Sequence, residues 1–403
     1  MHKVSPQSVE RVFLVGLVRG DQSVWDVEDS LGELAELAST AGGEVVGSDF
    51  QKLEHPVAAT FIGKGKASEM AAFCRENRID VVVFDDDLSP AQGRNLSEIF
   101  KVKVIDRTEL ILDIFAQRAR TREGKLQIEL AQLQYTLPRL KRMWLHLSRQ
   151  AGGIGGRGPG ETQLEVDRRR IQEKILRITR ELTGVRQQRA VQRHGRQRAH
   201  VPVLSMVGYT NAGKSTLMNR LTGAGVLAED KLFATLDPTT RQVELSNRQV
   251  FLLTDTVGFI RKLPTHLVES FKATLEEVRQ ADYLLHVVDV SHRHYQAQIE
   301  AVETILKQIG AWGKPVVMIF NKTDRLENSE VLGHLRDRHP ASVGLSALTG
   351  AGVEDLMQEI EILLRQWRPL IRVKLPIGEA ALIAEIRRSG KVVRERYTNK
   401  SAF

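Results

Sequence analysis

Cysteine is nearly missing from these 403 residues: Cys74 stands alone. No disulfide can form within the chain, and the thiol is expected to be a reduced core residue. Long apolar runs are missing too. Stretches such as "ADYLLHVVDV" are strand-length and fall well short of a membrane span. The opening "MHKVSPQSVERVF" has neither the apolar run nor the small-residue cleavage site of a secretory leader. Internal repeats are also lacking. What remains is a cytosolic globular chain of roughly two to four domains.

Acidic residues are scarce in one segment only. Between Gln117 and His200 there are twenty Lys and Arg against seven Asp and Glu, an excess of +13, although the whole chain carries only +8. The rest is therefore net acidic. A basic stripe this concentrated is the electrostatic footprint of a polyanionic partner, nucleic acid above all.

That segment also differs in pattern from its flanks. Residues 1–106 alternate strand and helix signals. "RVFLVGLV", "VAATFIG", "DVVVFDD" and "KVKVID" read as strands. A helix capped by Asp26 carries Val27, Leu31, Leu34 and Leu37 and stops at Gly42-Gly43; "SPAQGRNLSEIF" is another helix. This predicts a small α/β sandwich. Over 107–198, Leu126, Leu130, Leu133, Leu137, Leu140, Trp144 and Leu147 keep a heptad rhythm. Leu164, Ile171, Ile175, Ile178, Leu182 and Val185 do the same after a glycine run. Two such helices predict an antiparallel hairpin, kinked at Pro138. Residues 199–368 are α/β again, and 369–403 read as a small strand–helix–strand appendix.

The glycine run, "GGIGGRGPG", is six-ninths glycine and invites reading as a phosphate cradle. No strand signal precedes it; a helix does. The phosphate site is instead "GYTNAGKS", comprising Gly208, Tyr209, Thr210, Asn211, Ala212, Gly213, Lys214 and Ser215. It follows the buried strand "VPVLSMV" and opens the helix "STLMNRL", as a phosphate-binding P-loop requires. Loop amides and the helix N-terminus would hold the phosphates, Lys214 would reach the β and γ phosphates, and Ser215 would ligate Mg²⁺.

The nucleotide's base is read further on. "DTVG" (Asp255, Thr256, Val257, Gly258) ends one strand: Asp255 would hold Mg²⁺ through water, and the Gly258 amide would reach the γ-phosphate. "NKTD" (Asn321, Lys322, Thr323, Asp324) ends another. Asp324 would accept from guanine N1–H and N2–H₂, donors that adenine lacks, so the spacing selects GTP over ATP. Asn321 would steady the loop and Lys322 lie along the base. The backbone of Ser346, Ala347 and Leu348 would meet guanine O6. Between these motifs, "FATLD" (Phe233, Ala234, Thr235, Leu236, Asp237) supplies a threonine expected to close over Mg²⁺ and the γ-phosphate. Thr235 is preferred, with Thr239 and Thr240 as rivals. Lys214, Thr235 and Gly258 are the expected catalytic positions.

One absence concerns the chemistry itself. Ras-like GTPases place Gln after the DxxG glycine to orient the attacking water. Here Phe259 stands there, followed by Ile260, and a hydrocarbon cannot polarise water. Slow intrinsic hydrolysis follows, with a partner supplying or ordering the missing group. Arg261 and His266 are polar neighbours that read more simply as surface residues.

Together, "FIGKGK", "IDRTELILDIFAQRARTREGKLQIELAQLQY", "GGIGGRGPGETQLEVDRRRI", "GYTNAGKSTL", "LFATLDPT" and "DTVGFIRKLP" strongly resemble the HflX family of GTPases over roughly residues 10–366. The resemblance implies a Ras-like P-loop GTPase domain preceded by a small α/β domain and a helical hairpin. It further implies binding to the large ribosomal subunit and, in some members, splitting of stalled ribosomes. Gly155, Gly156, Arg157 and Gly158 at the tip, with Arg168, Arg169 and Arg170 behind them, would then contact rRNA. Some members are also reported to bind ATP through the N-terminal region, where "GKGK" (63–66) and Asp85–Asp87 are the possible elements here; a turn and a solvated strand end is the plainer reading. A monomer away from the ribosome is expected. Open alternatives are a large-subunit assembly GTPase and a GTP-switched regulator that docks a protein partner through its coiled coil. An RNA-unwinding ATPase is disfavoured by Asp324.

Overall fold

The computed structural model describes residues 9–20, 22–143, 159–198, 201–223, 232–247, 249–262, 275–326, 330–367, 372–376, 378–389, 392, 394–397 and 401–402. The glycine tip (Gly155, Gly156, Arg157, Gly158), the heptad positions Trp144 and Leu147, and His266 lie outside the described residues.

The chain begins with β1 (Arg11–Val18), α1 (Val24–Thr40), β2 (Glu44–Lys52), α2 (Lys64–Glu76), β3 (Val81–Phe84), α3 (Pro90–Phe100), β4 (Lys103–Asp106) and α4 (Arg107–Arg118). The four strands form one parallel sheet in the order β2-β1-β3-β4. Their apolar runs are buried because helices cover the sheet. Two readings of the sequence are corrected here. Residues 57–61 are a tight turn rather than a strand, closed by reciprocal Val57–Phe61 backbone hydrogen bonds, with Phe61 at φ 62°. The second strand is β2, whose Gly47, Ser48 and Asp49 break any apolar alternation. The N-cap of α1 is Ser23, and Asp26 is its capping-box partner at the third helical position. Cys74 is buried in the core, where burial pushes its thiol up to about 11.

Helix α4 packs among the core residues of this sandwich through Ile111, Ile114 and Phe115. The α/β domain therefore extends past residue 106. Helix α5 (Arg122–Met143) follows and continues through Pro138. It has two apolar faces. Ile128, Ala131 and Tyr135 join the sandwich core; Leu126, Leu130 and Leu133 pack with Ile175, Ile178 and Leu182 of α6 (Pro159–Arg198). Arg122 pairs with Glu181 at 3.2 Å and Glu129 with Lys174 at 2.5 Å. Those pairings run in opposite directions along the two helices, so the hairpin is antiparallel.

The next sheet has six strands, β5 (Val203–Gly208), β6 (Thr239–Glu244), β7 (Val250–Asp255), β8 (Tyr283–Asp289), β9 (Val316–Asn321) and β10 (Ser342–Gly344), in the order β10-β9-β8-β5-β7-β6. All neighbours are parallel except β6 against β7. Between them lie α7 (Lys214–Thr222), α8 (Glu276–Gln280), α9 (Tyr295–Gln308) and α10 (Glu330–Arg338). Ligands of such sheets bind beyond the carboxyl ends of the strands, where the order reverses beside the first strand. That is where β5, β7 and β9 end in the motifs singled out above.

Residues 354–403 form a separate compact unit. It contains most of α11 (Val353–Trp367), then β11 (Leu375–Pro376), α12 (Ala380–Ser389) and β12 (Ser401–Ala402), with β11 and β12 antiparallel. Each of these strands is only two residues long. Among the described residues, no helix is long and apolar enough to cross a membrane.

Candidate nucleotide site

Strand β5 delivers the chain to Gly208, and the loop turns back into α7 at Gly213. There φ is +93°, and a Cβ would sit 2.2 Å from the Asn321 side-chain nitrogen, so only glycine fits. Thr210, Asn211, Gly213, Lys214, Ser215, Thr216, Phe233, Ala234, Thr235, Thr256 and Gly258 line one cleft. Thr216 was missed by the motif reading, which ended at Ser215. Of the expected "FATLD" residues, Phe233, Ala234 and Thr235 reach the cleft. Leu236 is buried in the core, and Asp237 directs its carboxylate to Arg120 and Thr121.

The Lys214 amine is buried and donates to the carbonyls of Gly208 at 3.1 Å and Tyr209 at 2.8 Å. Burial pushes it down to about 8, against the pull of the Asp255 carboxylate. Asp255 is itself raised by burial, which outweighs the help of Lys214, Ser215 and Thr235. Its Oδ2 accepts from Ser215 Oγ at 2.8 Å and Thr235 Oγ1 at 2.9 Å, and the two hydroxyls lie 2.7 Å apart. Asp255 Oδ1 and Thr210 Oγ1 are buried with no hydrogen-bond partner. Three convergent oxygens beside an unpartnered carboxylate oxygen could hold a hard divalent cation. P-loop GTPases as a class generally use Mg²⁺. The rival threonines lie in β6, where Thr240 meets Thr254 Oγ1 at 3.0 Å.

Gly258 presses on the loop: a Cβ there would lie 2.8 Å from Thr210 Cα and 3.1 Å from Lys214 Nζ. Phe259 is buried in the core, held by two backbone hydrogen bonds, from Thr210 N–H to Phe259 O and from Phe259 N–H to Gly208 O. The residue that replaces the usual Gln thus packs inward. Arg261 is committed elsewhere: its guanidinium reaches Asp29 at 3.0 Å and its N–H donates to the Tyr209 hydroxyl at 2.7 Å.

The NKTD loop and the Ser346–Leu348 loop are tied to this cleft. Asn321 is buried, donates to Ala212 O at 2.7 Å and accepts from Ala347 N–H at 2.9 Å. Lys322 takes a left-handed backbone (φ 63°) and pairs with Asp289 at 2.7 Å. Thr323 and Asp324 begin a short 3₁₀ turn, with Asp324 exposed. Ser346 and Ala347 are buried and Leu348 is exposed. Arg220 on α7 donates to the carbonyls of Ala347 and Leu348. In the sequence it reads as one more surface arginine. Thr256 donates to Met206 O at 2.6 Å, locking β7 to β5; Val257 is buried beside it.

Contacts to the N-terminal sandwich carry no signal in the sequence. The Tyr209 hydroxyl donates to Glu33 at 2.7 Å. Lys262 pairs with Asp85 and, at 3.1 Å, with Asp86. Asp85 is buried against Arg107 (2.7 Å) and Ser30 (2.7 Å). Burial raises its carboxyl, yet Arg107 and Lys262 outweigh that and hold it low. Asp87 accepts from Thr108. In "GKGK", Gly63 N–H donates to Gln51, and Lys66 pairs with Asp49 and Glu69. These acidic and basic groups thus have protein partners.

A Ras-type strand order with a P-loop, a DxxG strand end and an NKxD base loop defines a P-loop GTPase, an enzyme that hydrolyses GTP. Residues 203–322 match a family described as a 50S ribosome-binding GTPase, residues 28–116 a GTP-binding GTPase N-terminal family and residues 118–196 its middle region. GTPase HflX of Lacrimispora saccharolytica is 48% identical over 98% of this chain and 92% of its own length. That of Escherichia coli (strain K12) is 52% identical over 83% and 79%. The chain belongs to the HflX family of GTPases. A solved complex of SsGBP with GDP is also similar, with a TM-score of 0.51 at 25% identity, covering 89% of this chain and 99% of that one.

Proposed function

We propose that this GTPase is a cytoplasmic, monomeric factor that binds the large ribosomal subunit in its GTP form and dissociates stalled or idle ribosomes. The observation that carries this is the arm. Its segment holds the chain's whole excess of positive charge, and Arg168, Arg169 and Arg170 are exposed on α6, where they can neutralise phosphates; Arg170 also lies 3.8 Å from Asp167. The matched family's description as 50S ribosome-binding supports the same partner. Gly155, Gly156 and Gly158 let backbone approach crowded rRNA, and Arg157 adds a phosphate contact.

In the nucleotide cycle, Lys214 exchanges its two carbonyl partners for the β and γ phosphates. Ser215 and Thr235 would hold Mg²⁺, with Asp255 acting through water, and the ion would supply charge neutralisation to the phosphates. Gly258 N–H donates to the γ-phosphate, and Asp324 reads guanine. Phe259 excludes water from the core and orients none, so hydrolysis waits for a group contributed by the ribosome. Loss of the γ-phosphate removes the partner of Thr235 and Gly258, and the GDP form releases.

The test is steady-state GTPase activity alone and with purified mature large subunits. A control replaces residues 155–158 with alanine. Stimulation that disappears in the control and weakens steeply with salt supports rRNA contact by the tip. Salt-insensitive stimulation would favour a protein partner. Activity unchanged by mature subunits would move the arm to assembly intermediates.

A further inference from the structure

Asp237 follows Thr235 by two residues yet belongs to a different part of the molecule. Its Oδ2 accepts from the backbone N–H of Arg120 and of Thr121, each at 2.9 Å, and its Oδ1 accepts from the Thr121 hydroxyl. Thr121 in turn accepts from Gly124 N–H at 3.0 Å, as the N-cap of α5. The carboxylate therefore extends the cap of the arm's first helix, at the end where the helix dipole favours negative charge. A second tie lies beside it. Phe233, at φ 55°, packs edge-on against Phe115 of α4 with ring centroids 4.6 Å apart, and Leu236 is buried in the same core.

Gly124 shows how closely the two parts are fitted. A Cβ there would lie 2.5 Å from Asp237 Oδ1 and 3.1 Å from Thr121 Oγ1. The glycine of "TREGKLQ" is thus the space that the Asp237 carboxylate occupies.

We propose that Asp237 is a positioning residue: it fastens the Thr235 loop to the root of the helical arm, so that the arm and the γ-phosphate sense one another. Two residues of chain span at most ~7 Å, so Thr235 cannot leave Ser215 and Asp255 far without straining the Asp237 contact. The clamp favours the arrangement in which Thr235 faces Ser215. By linkage, a polyanion that fixes the arm alters the preference for GTP over GDP, and the nucleotide alters the arm's affinity by the same factor. This rests on the reading of Thr235 as the residue that senses the γ-phosphate.

The experiment measures affinities of the full chain for GDP and for a non-hydrolysable GTP analogue, by displacement of fluorescent GDP. The variants are Asp237→Ala, the milder Asp237→Asn, Gly124→Ala and Thr235→Ala. Gly124→Ala acts from the arm side, away from the nucleotide. Asp237→Ala and Gly124→Ala are expected to weaken the GTP analogue about tenfold while leaving GDP within twofold, with Asp237→Asn in between. Hydrogen exchange at the Thr121 amide should rise in Asp237→Ala. If Thr235→Ala shifts the ratio but both clamp variants, folded by circular dichroism, leave it at the parental value, the clamp is refuted and the Thr235 reading stands. If Thr235→Ala itself leaves the ratio unchanged, the Thr235 reading fails and the clamp fails with it.

Discussion

The side chain of Asn321 joins two loops that are far apart in sequence, donating to Ala212 O at 2.7 Å while accepting from Ala347 N–H at 2.9 Å. The phosphate loop, the NKTD loop and the Ser346–Leu348 loop therefore share one buried residue. Asn321→Ala strands a buried carbonyl and a buried amide, at about 1–3 kcal/mol each. GDP affinity should fall by about 100-fold, read from a fluorescent GDP titration. A loss of less than threefold would mean the loops hold themselves in place.

Base selection is expected to reside in Asp324. Asp324→Asn replaces one acceptor with a donor, which suits xanthine, whose second exocyclic oxygen stands where guanine carries N2–H₂. Preference should reverse from GTP to XTP, and discrimination against GTP should approach ~10⁴. Competition between the two nucleotides checks this; retained GTP preference would place base reading elsewhere.

Gly258 has no room for a methyl group against Thr210 Cα. Gly258→Ala should push the DxxG turn away from the γ-phosphate while sparing the GDP contacts. Single-turnover hydrolysis is expected to drop by about 100-fold or more, with GDP binding altered only a few-fold. Equal losses in both would point to general disruption of the loop.

How much of this was legible in the sequence depends on the range of the interaction. The phosphate loop could be read because strand, turn and helix are contiguous, and Gly208, Lys214 and Ser215 sit at fixed offsets. The arm could be read because its heptads repeat. The run "VAATFIG" misled because only Phe61 and Ile62 of its apolar residues are buried, packed in the core beside a tight turn, while Ala58 and Ala59 are exposed. Strand β2 was missed because Gly47, Ser48 and Asp49 interrupt it, and only pairing with β1 holds it extended. The contacts of Glu33 with Tyr209, of Lys262 with Asp85 and of Asp237 with Thr121 span more than a hundred residues. No local period or spacing encodes such a meeting.

Arg107 is the test of that buried interface. It is 1% exposed and pairs with Asp85 at 2.7 Å and Glu33 at 3.1 Å. Arg107→Met leaves two carboxylates short of their cation and should cost about 3 kcal/mol. Adding Asp85→Asn should restore part of it. Urea unfolding measures both; a single variant as stable as the parent would show the pair to be dispensable.

His286 sets an acid limit. It is buried in β8, where burial, with Lys214 and His339 adding to it, drives the imidazole down to about 3. The unfolded chain takes up this proton near pH 6.5, whereas the folded chain does so only far lower. This contribution to stability is therefore intact above about pH 6.5 and is lost as pH falls from there toward 3, at about 1.4 kcal/mol per unit. Thermal melts at pH 7.5 and 5.0 should show a larger acid loss for the parent than for His286→Gln. Equal losses would assign the acid sensitivity to other groups.

The 22 residues of α5 begin at the Asp237 contact, and a helix of that length reaches ~33 Å. Ile128, Ala131 and Tyr135 seat that helix on the sandwich core, and Arg139 pairs with Asp106 at 3.0 Å, so helix and sandwich would move as one body. A tilt of about 10° of that body against the nucleotide domain would sweep the far end of the helix through ~6 Å.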